Sequence, residues 1–165
     1  MTDLLIARIK PNPVGKDRTR HGGASAAQLG AEWIDIQNRS AGRVGLAGIE
    51  LYHLVFRPGQ KPEFEKVVDL TGDLERGQTL RIHSGQVRPV HVLHQEDLAG
   101  AELHGFTGRD AYVWNNAEGD GPGLWRPSTK SWVDRASYDP NPPEGAVLVR
   151  AGDKLLVAAK TVSGW

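Results

Sequence analysis

The sequence predicts an all-β domain built as a two-sheet sandwich, and three observations predict it. Twenty glycines and ten prolines are spread along 165 residues and interrupt nearly every apolar run before it reaches helix length. The runs between them are short and rich in β-branched and aromatic residues, as half-buried strands require. Each run is bounded by Gly, Pro, Asn or Asp, the residues that tight connections need. With 39% hydrophobic residues the chain can fill one core, so a single domain accounts for its length.

Leu4 to Lys10 is the first strand, stopped by Pro11-Asn12-Pro13, and Val14 to Gly30 follows as a polar, glycine-bearing loop. In Glu32-Trp33-Ile34-Asp35-Ile36-Gln37 the two isoleucines share one face and Asp35 and Gln37 the other, the pattern of a half-buried strand. A turn over Asn38 to Gly45 leads to the aromatic-rich strand Ile49 to Phe56, closed by Pro58-Gly59. Further strands are expected at Phe64 to Leu70, Thr79 to His83, Val90 to Leu93, Ala111 to Asn115 and Ser131 to Asp134. Gly100 limits Glu96 to Leu103 to a short helix at most. Asp139-Pro140-Asn141-Pro142-Pro143 reads as a stiff connector, and Ala146 to Arg150 and Lys154 to Val162 flank the Gly152 turn of a terminal hairpin. Residues 1–138 are therefore expected to form the sandwich, and residues 139–165 a connector and hairpin packed on or paired with it.

Composition removes several function classes. Cysteine is absent, which excludes a disulfide framework, a thiolate metal site and a cysteine nucleophile. Twenty basic residues balance twenty acidic ones, so any charge-driven binding has to be local. No basic region followed by a long apolar stretch opens the chain, which reads as cytoplasmic. No apolar run approaches the ~18 residues of a membrane span, so a soluble protein without a membrane partner is expected.

Five stretches carry a resemblance to a known family. Glu32-Trp33-Ile34-Asp35-Ile36-Gln37-Asn38 and Leu46-Ala47-Gly48-Ile49-Glu50-Leu51 resemble an acidic, aromatic, aliphatic strand ending in asparagine, then a leucine-x-glycine turn into a strand. Leu74 to Ile82, with Gly77, is similar to the aliphatic strand that follows. Tyr112-Val113-Trp114-Asn115-Asn116 with Gly119-Asp120 resembles a tryptophan-asparagine strand and acidic turn, and Ser131-Trp132-Val133-Asp134 with Tyr138 the last strand. Together these resemble the lamin tail domain, known from nuclear lamins and many bacterial proteins, over roughly residues 4 to 138. The resemblance implies an immunoglobulin-like sandwich whose faces contact proteins or DNA. It gives structural roles to Glu32, Trp33, Asn38, Leu46, Gly48, Gly77, Trp114, Asn115, Asp120 and Trp132. The coiled-coil rod of lamins has no counterpart in this chain, so filament assembly does not carry over.

No catalytic residue, cofactor or metal site is predicted. His91 and His94 are three apart and would point to opposite faces of a strand, with His83 and His104 as outlying candidates. Asn115 to Gly121 offers oxygen ligands near glycines but lacks the spacing of a calcium-binding EF-hand loop and reads as a turn. Ser84 beside His83, or Glu32 with Asp35, are the groups a hydrolase would use, without any nucleophile elbow or zinc-protease motif around them. Arg8, Lys10, Lys16, Arg18 and Arg20 form a local basic surplus that would suit DNA or another polyanion. The expected function is a non-catalytic binding or scaffold module contacting a protein. Strand edges, the unmatched Gln86 to Asp110 insertion or the terminal hairpin supply its surface or a means of self-association. Polyanion binding and a metal-assisted hydrolase are the alternatives.

Overall fold

The computed structural model describes residues 3–16 and 23–158. In chain order its elements are β1 (Leu4–Lys10), α1 (Ala26–Gly30), β2 (Trp33–Asn38), β3 (Val44–Gly45), β4 (Glu50–Val55), β5 (Glu63–Asp69), β6 (Asp73–Leu74) and β7 (Thr79–His83). There follow α2 (Gln95–Leu98), β8 (Leu103–Phe106), β9 (Gly123–Arg126), β10 (Ser131–Arg135), β11 (Leu148–Ala151) and β12 (Lys154–Val157). Six strands form one sheet in the order β12-β11-β1-β2-β7-β8, four form a second in the order β10-β9-β4-β5, and β3 and β6 make a small ladder. The fold is an all-β sandwich, as the strand count and turn residues predicted. No helix among the described residues is long and apolar enough to cross a membrane.

Period-two alternation builds the core from both sheets. Ile6 pairs with Ile36 and Ile36 with Leu80, while Ile9 pairs with Ile34 and Ile34 with Ile82, giving two apolar rows on one face of the larger sheet. Leu51 and Leu124, paired across β4 and β9, answer them from the smaller sheet. A bulge in β1 between Ile6 and Arg8 keeps this pattern intact. Residues two apart would otherwise share a face and drive Arg8 into the core; the extra residue turns it outward. Beside the bulge, the Ile6 peptide groups are taken by side chains. Ile6 N–H donates to Asp134 Oδ2 at 2.7 Å, and the Ile6 carbonyl accepts from Arg150 Nη1 at 3.0 Å. Arg150 grips Asp134 with both terminal nitrogens, at 2.7 and 3.0 Å, so one ion pair ties β1, β10 and β11 across the sandwich.

The terminal hairpin is continuous with the larger sheet. Arg8 pairs with Val149 and Ile9 with Leu148, which makes β11 and β12 its last two strands. Two expected strands are absent. Val90 to Leu93 forms a single 3₁₀ turn over Val90–Val92 after Pro89, and Leu93 seats itself where a side chain on Gly30 would be, 2.2 Å from that position. Ala111 to Asn115 is irregular because carboxylates take the N–H groups that a neighbouring strand would use. Val113 and Trp114 donate to Glu32, and Asn115 to Asp120. The expected loop before β2 contains α1, held by a capping box in which Ser25 and Gln28 exchange hydrogen bonds with each other's backbone. Strands β8 and β9 had been hidden by Gly105 and by Pro122, Gly123 and Pro127, which punctuate them as turns do.

Glu32, just before β2, is the densest junction. Its fully buried carboxylate accepts from Lys16 Nζ at 2.6 Å, Ser84 Oγ at 2.5 Å, Val113 N at 2.7 Å and Trp114 N at 3.3 Å. Replacing it removes the carboxylate that balances the buried Lys16 ammonium and leaves the N–H groups of Val113 and Trp114 without their acceptor. Glu32→Ala should lower unfolding free energy by about 3–5 kcal/mol in urea melts, whereas Arg43→Ala, at the exposed pair with Glu75, should leave the midpoint nearly unchanged.

Candidate functional site

The outward face of the larger sheet carries a buried layer of charge. Cross-strand register aligns Arg8, Asp35, Arg81 and His104 in one row and Lys10, Trp33, His83 and Phe106 in the next. Residues 84–102, which connect β7 to the parallel strand β8, run over these rows and bring α2 against them. Asp97 of α2 is fully buried and accepts from Lys10 Nζ at 2.7 Å and Trp33 Nε1 at 2.9 Å. Arg81 forks onto Asp35 at 2.7 and 2.9 Å and donates to the carbonyls of Asp97 and Ala99, and its guanidinium lies 3.6 Å from the Trp33 ring centroid. The Gln86 to Asp110 insertion, expected as a binding surface, therefore has part of its length committed to roofing the sheet.

The predicted basic strip takes a different form. Lys10 is paired with Asp97, Lys16 with Glu32, and Arg8 Nε lies 2.9 Å from Asp35 Oδ2 with about a third of its side chain exposed. Lys16 is further held by the carbonyls of Pro11 and Trp114 and by Asn116 Oδ1. Lys10 and Lys16 are buried and Arg8 is half-buried, each paired with a carboxylate distant in sequence. Arg18 and Arg20 lie outside the described residues.

The groups nominated for hydrolysis do not converge. Ser84 Oγ is bound to Glu32, and the His83 ring turns the other way. His83 Nδ1 lies 2.6 Å from the Gly30 carbonyl, which only accepts, so Nδ1 carries the proton and Nε2 accepts from His104 Nδ1 at 2.8 Å. Glu32 and Asp35 serve separate networks. His91 and His94 are exposed on the roofing segment, and no cluster of three metal-ligating side chains occurs among the described residues. In the Asn115 to Gly121 turn, Asp120 is buried and accepts from the N–H groups of Leu54, Asn115 and Gly121 and from Asn115 Nδ2. It acts as the internal clasp of that turn.

The other residues on which the resemblance rests lie at turns, in the core or on the outer face of the smaller sheet. Asn38 binds the carbonyls of Gly42 and Leu74 and accepts from Ser40, while Gly48 and Gly77 take the positive φ angles of 84° and 79° that their turns require. Leu46 and Trp114 are core, Asn115 binds the Leu54 carbonyl, and Tyr138, whose phenol burial pushes well above its ordinary range, donates to the Asn115 carbonyl at 2.6 Å. Trp132 lies on the outer face of the smaller sheet, against Trp125.

Sequence reasoning missed the open side of the sandwich. Between edge strands β8 and β5 the sheets part around a cleft of about 510 Å³ lined by Val68, Leu70, Leu80, Ile82, Leu103 and Phe106. Leu103 is 39% exposed, as are neighbouring Val90 and Val87 to a greater degree. The geometry defines a β-sandwich module in which the nominated groups Lys10, Lys16, Glu32, Asp35, His83 and Ser84 are buried in internal networks and apolar surface lies at one open side. Comparison with protein-family models and with curated protein sequences finds no match.

Burial pushes the His83 ring down to about 4, against the Gly30 hydrogen bond that favours its charged form, and Arg81 adds to the depression. His104 moves in the same direction, chiefly through burial. A histidine depressed on folding is protonated first in the unfolded chain, so stability is complete above pH 6.5 and falls as pH drops from 6.5 toward 4. Between pH 7 and pH 5 the wild type should lose about 2 kcal/mol through His83. Chemical denaturation at the two pH values should show a smaller difference for His83→Gln.

Proposed function

We propose that this chain is a non-catalytic binding module of lamin-tail, immunoglobulin-like type that takes an extended segment of a partner protein along its open side. The observation that carries the reading is an apolar cleft lying directly beside a free strand edge. Among the described residues β8 pairs only with β7, so its other edge has no neighbouring strand. A segment added there would hydrogen-bond along that edge and send alternate side chains into the cleft beneath. Gly105 leaves the cleft room, since it faces the same way as Ile82 and carries no side chain.

The lamin-tail assignment draws support from the roles of Glu32, Asn38, Gly48, Gly77 and Asp120, each of which holds a strand end or turn. The polyanion reading has lost Lys10 and Lys16 to buried ion pairs, and the hydrolase reading has lost its converging groups.

Gly105 supplies the test. A side chain there meets Leu80 Cδ1 at 3.8 Å, an ordinary contact, so Gly105→Phe should fold while filling the cleft. Peptides selected from a random phage-displayed library should slow hydrogen exchange at Leu103 to Phe106 and bind Gly105→Phe at least about tenfold more weakly. Peptides that bind both proteins equally, or protect other strands, would refute the reading.

A further inference from the structure

A second surface lies on the other sheet and stands independently of the peptide reading. The outer face of β10-β9-β4-β5 carries Trp132, Trp125, Tyr52 and Phe64. Trp132 pairs directly with Trp125, and Tyr52 lies opposite Gly123. Phe64 and Trp132 come from the two edge strands, separated by three strand spacings or about 14 Å, yet their ring centroids are 4.6 Å apart. They meet because Gly123 leaves the middle of the face bare: a Cβ there would stand 2.5 Å from the Trp132 ring. Trp125 and Tyr52 approach the same indole edge-on, at 5.0 and 5.9 Å. All four rings remain partly exposed, Phe64 at 39%, although the core of this sheet lies on its opposite face around Leu51 and Leu124.

The border of this platform is polar and balanced in charge. Lys66 Nζ donates to Glu50 Oε2 and Asp69 Oδ1, both at 3.2 Å, and Tyr52 donates from its hydroxyl to Glu50 Oε1 at 2.9 Å. The exposed Arg135 guanidinium stands over the Trp132 ring, 5.3 Å from its centroid. Glu50 and Asp69 thus offset Lys66 and Arg135. Nucleobases stack on aromatic platforms, but a single strand brings a phosphate with every base and needs surplus cations along its path. The two cations and two carboxylates described at this border give no such surplus. A neutral sugar chain has what this face does offer: C–H faces that stack on indole, and hydroxyls that both accept from a guanidinium or ammonium and donate to carboxylates.

We infer that the aromatic face of the smaller sheet is a binding site for neutral polysaccharide, with Trp132 and Trp125 as the stacking platform and Arg135, Glu50 and Asp69 as hydroxyl partners. Affinity electrophoresis of the full chain in gels containing hydroxyethylcellulose, xylan, galactomannan or mixed-linkage β-glucan tests it. Retardation is expected in at least one polysaccharide, reduced at least tenfold in apparent affinity by Trp132→Ala and by Phe64→Ala. Phe64 is exposed, so its removal reads binding without threatening the fold. A saturating oligosaccharide of the retained type should also shift the tryptophan emission to the blue. No retardation in any gel, equal retardation of the wild type and Phe64→Ala, or retention of oligo(dT) alone would overturn the inference.

Discussion

A buried carboxylate that accepts from backbone N–H groups is the interaction on which this sandwich depends. Sheets satisfy their own peptide groups, but bulges and irregular crossings leave donors that need partners away from water. Glu32 takes those of Val113 and Trp114, Asp120 those of Leu54, Asn115 and Gly121, and Asp134 that of Ile6. Each carboxylate reaches from one sheet or segment to another, so hydrogen bonding and tertiary placement are the same event. Buried ion pairs of this kind add little net stability over apolar packing, while loss of one partner is costly. They hold each chain crossing in a single position.

That constraint redistributes the cations. A carboxylate removed from water needs a compensating charge, and Lys16, Lys10, Arg81, Arg8 and Arg150 provide it. These five basic residues serve as internal counter-ions. The two surfaces proposed for recognition are apolar or aromatic: the cleft beside β8 and the indole-rich face of β9 and β10. Both exist because a glycine withholds a side chain, Gly105 in the cleft and Gly123 beneath Trp132.

Much of the fold was legible in the sequence because burial alternates locally. Ile34 and Ile36 against Asp35 mark β2, and the same local logic places β1, β4, β5, β7, β10 and the terminal hairpin. The candidate site was far less legible. Trp114 and Val113 have the composition of a strand, yet their N–H groups go to Glu32, 82 and 81 residues earlier. Asp97 falls within the short helix that the sequence allows from Glu96, and nothing local marks it as the buried partner of Lys10 and Trp33.

Sequence by itself determined the class of fold, the positions of most strands and the turns at Gly48 and Gly77, since these follow from the period of the chain and the φ angles that glycine permits. Tertiary structure alone decided which cations face inward, which N–H groups a carboxylate claims, and which aromatics meet over Gly123. Those outcomes join residues far apart in the chain, 128 positions in the case of Ile6 and Asp134, and no local pattern encodes such a pairing.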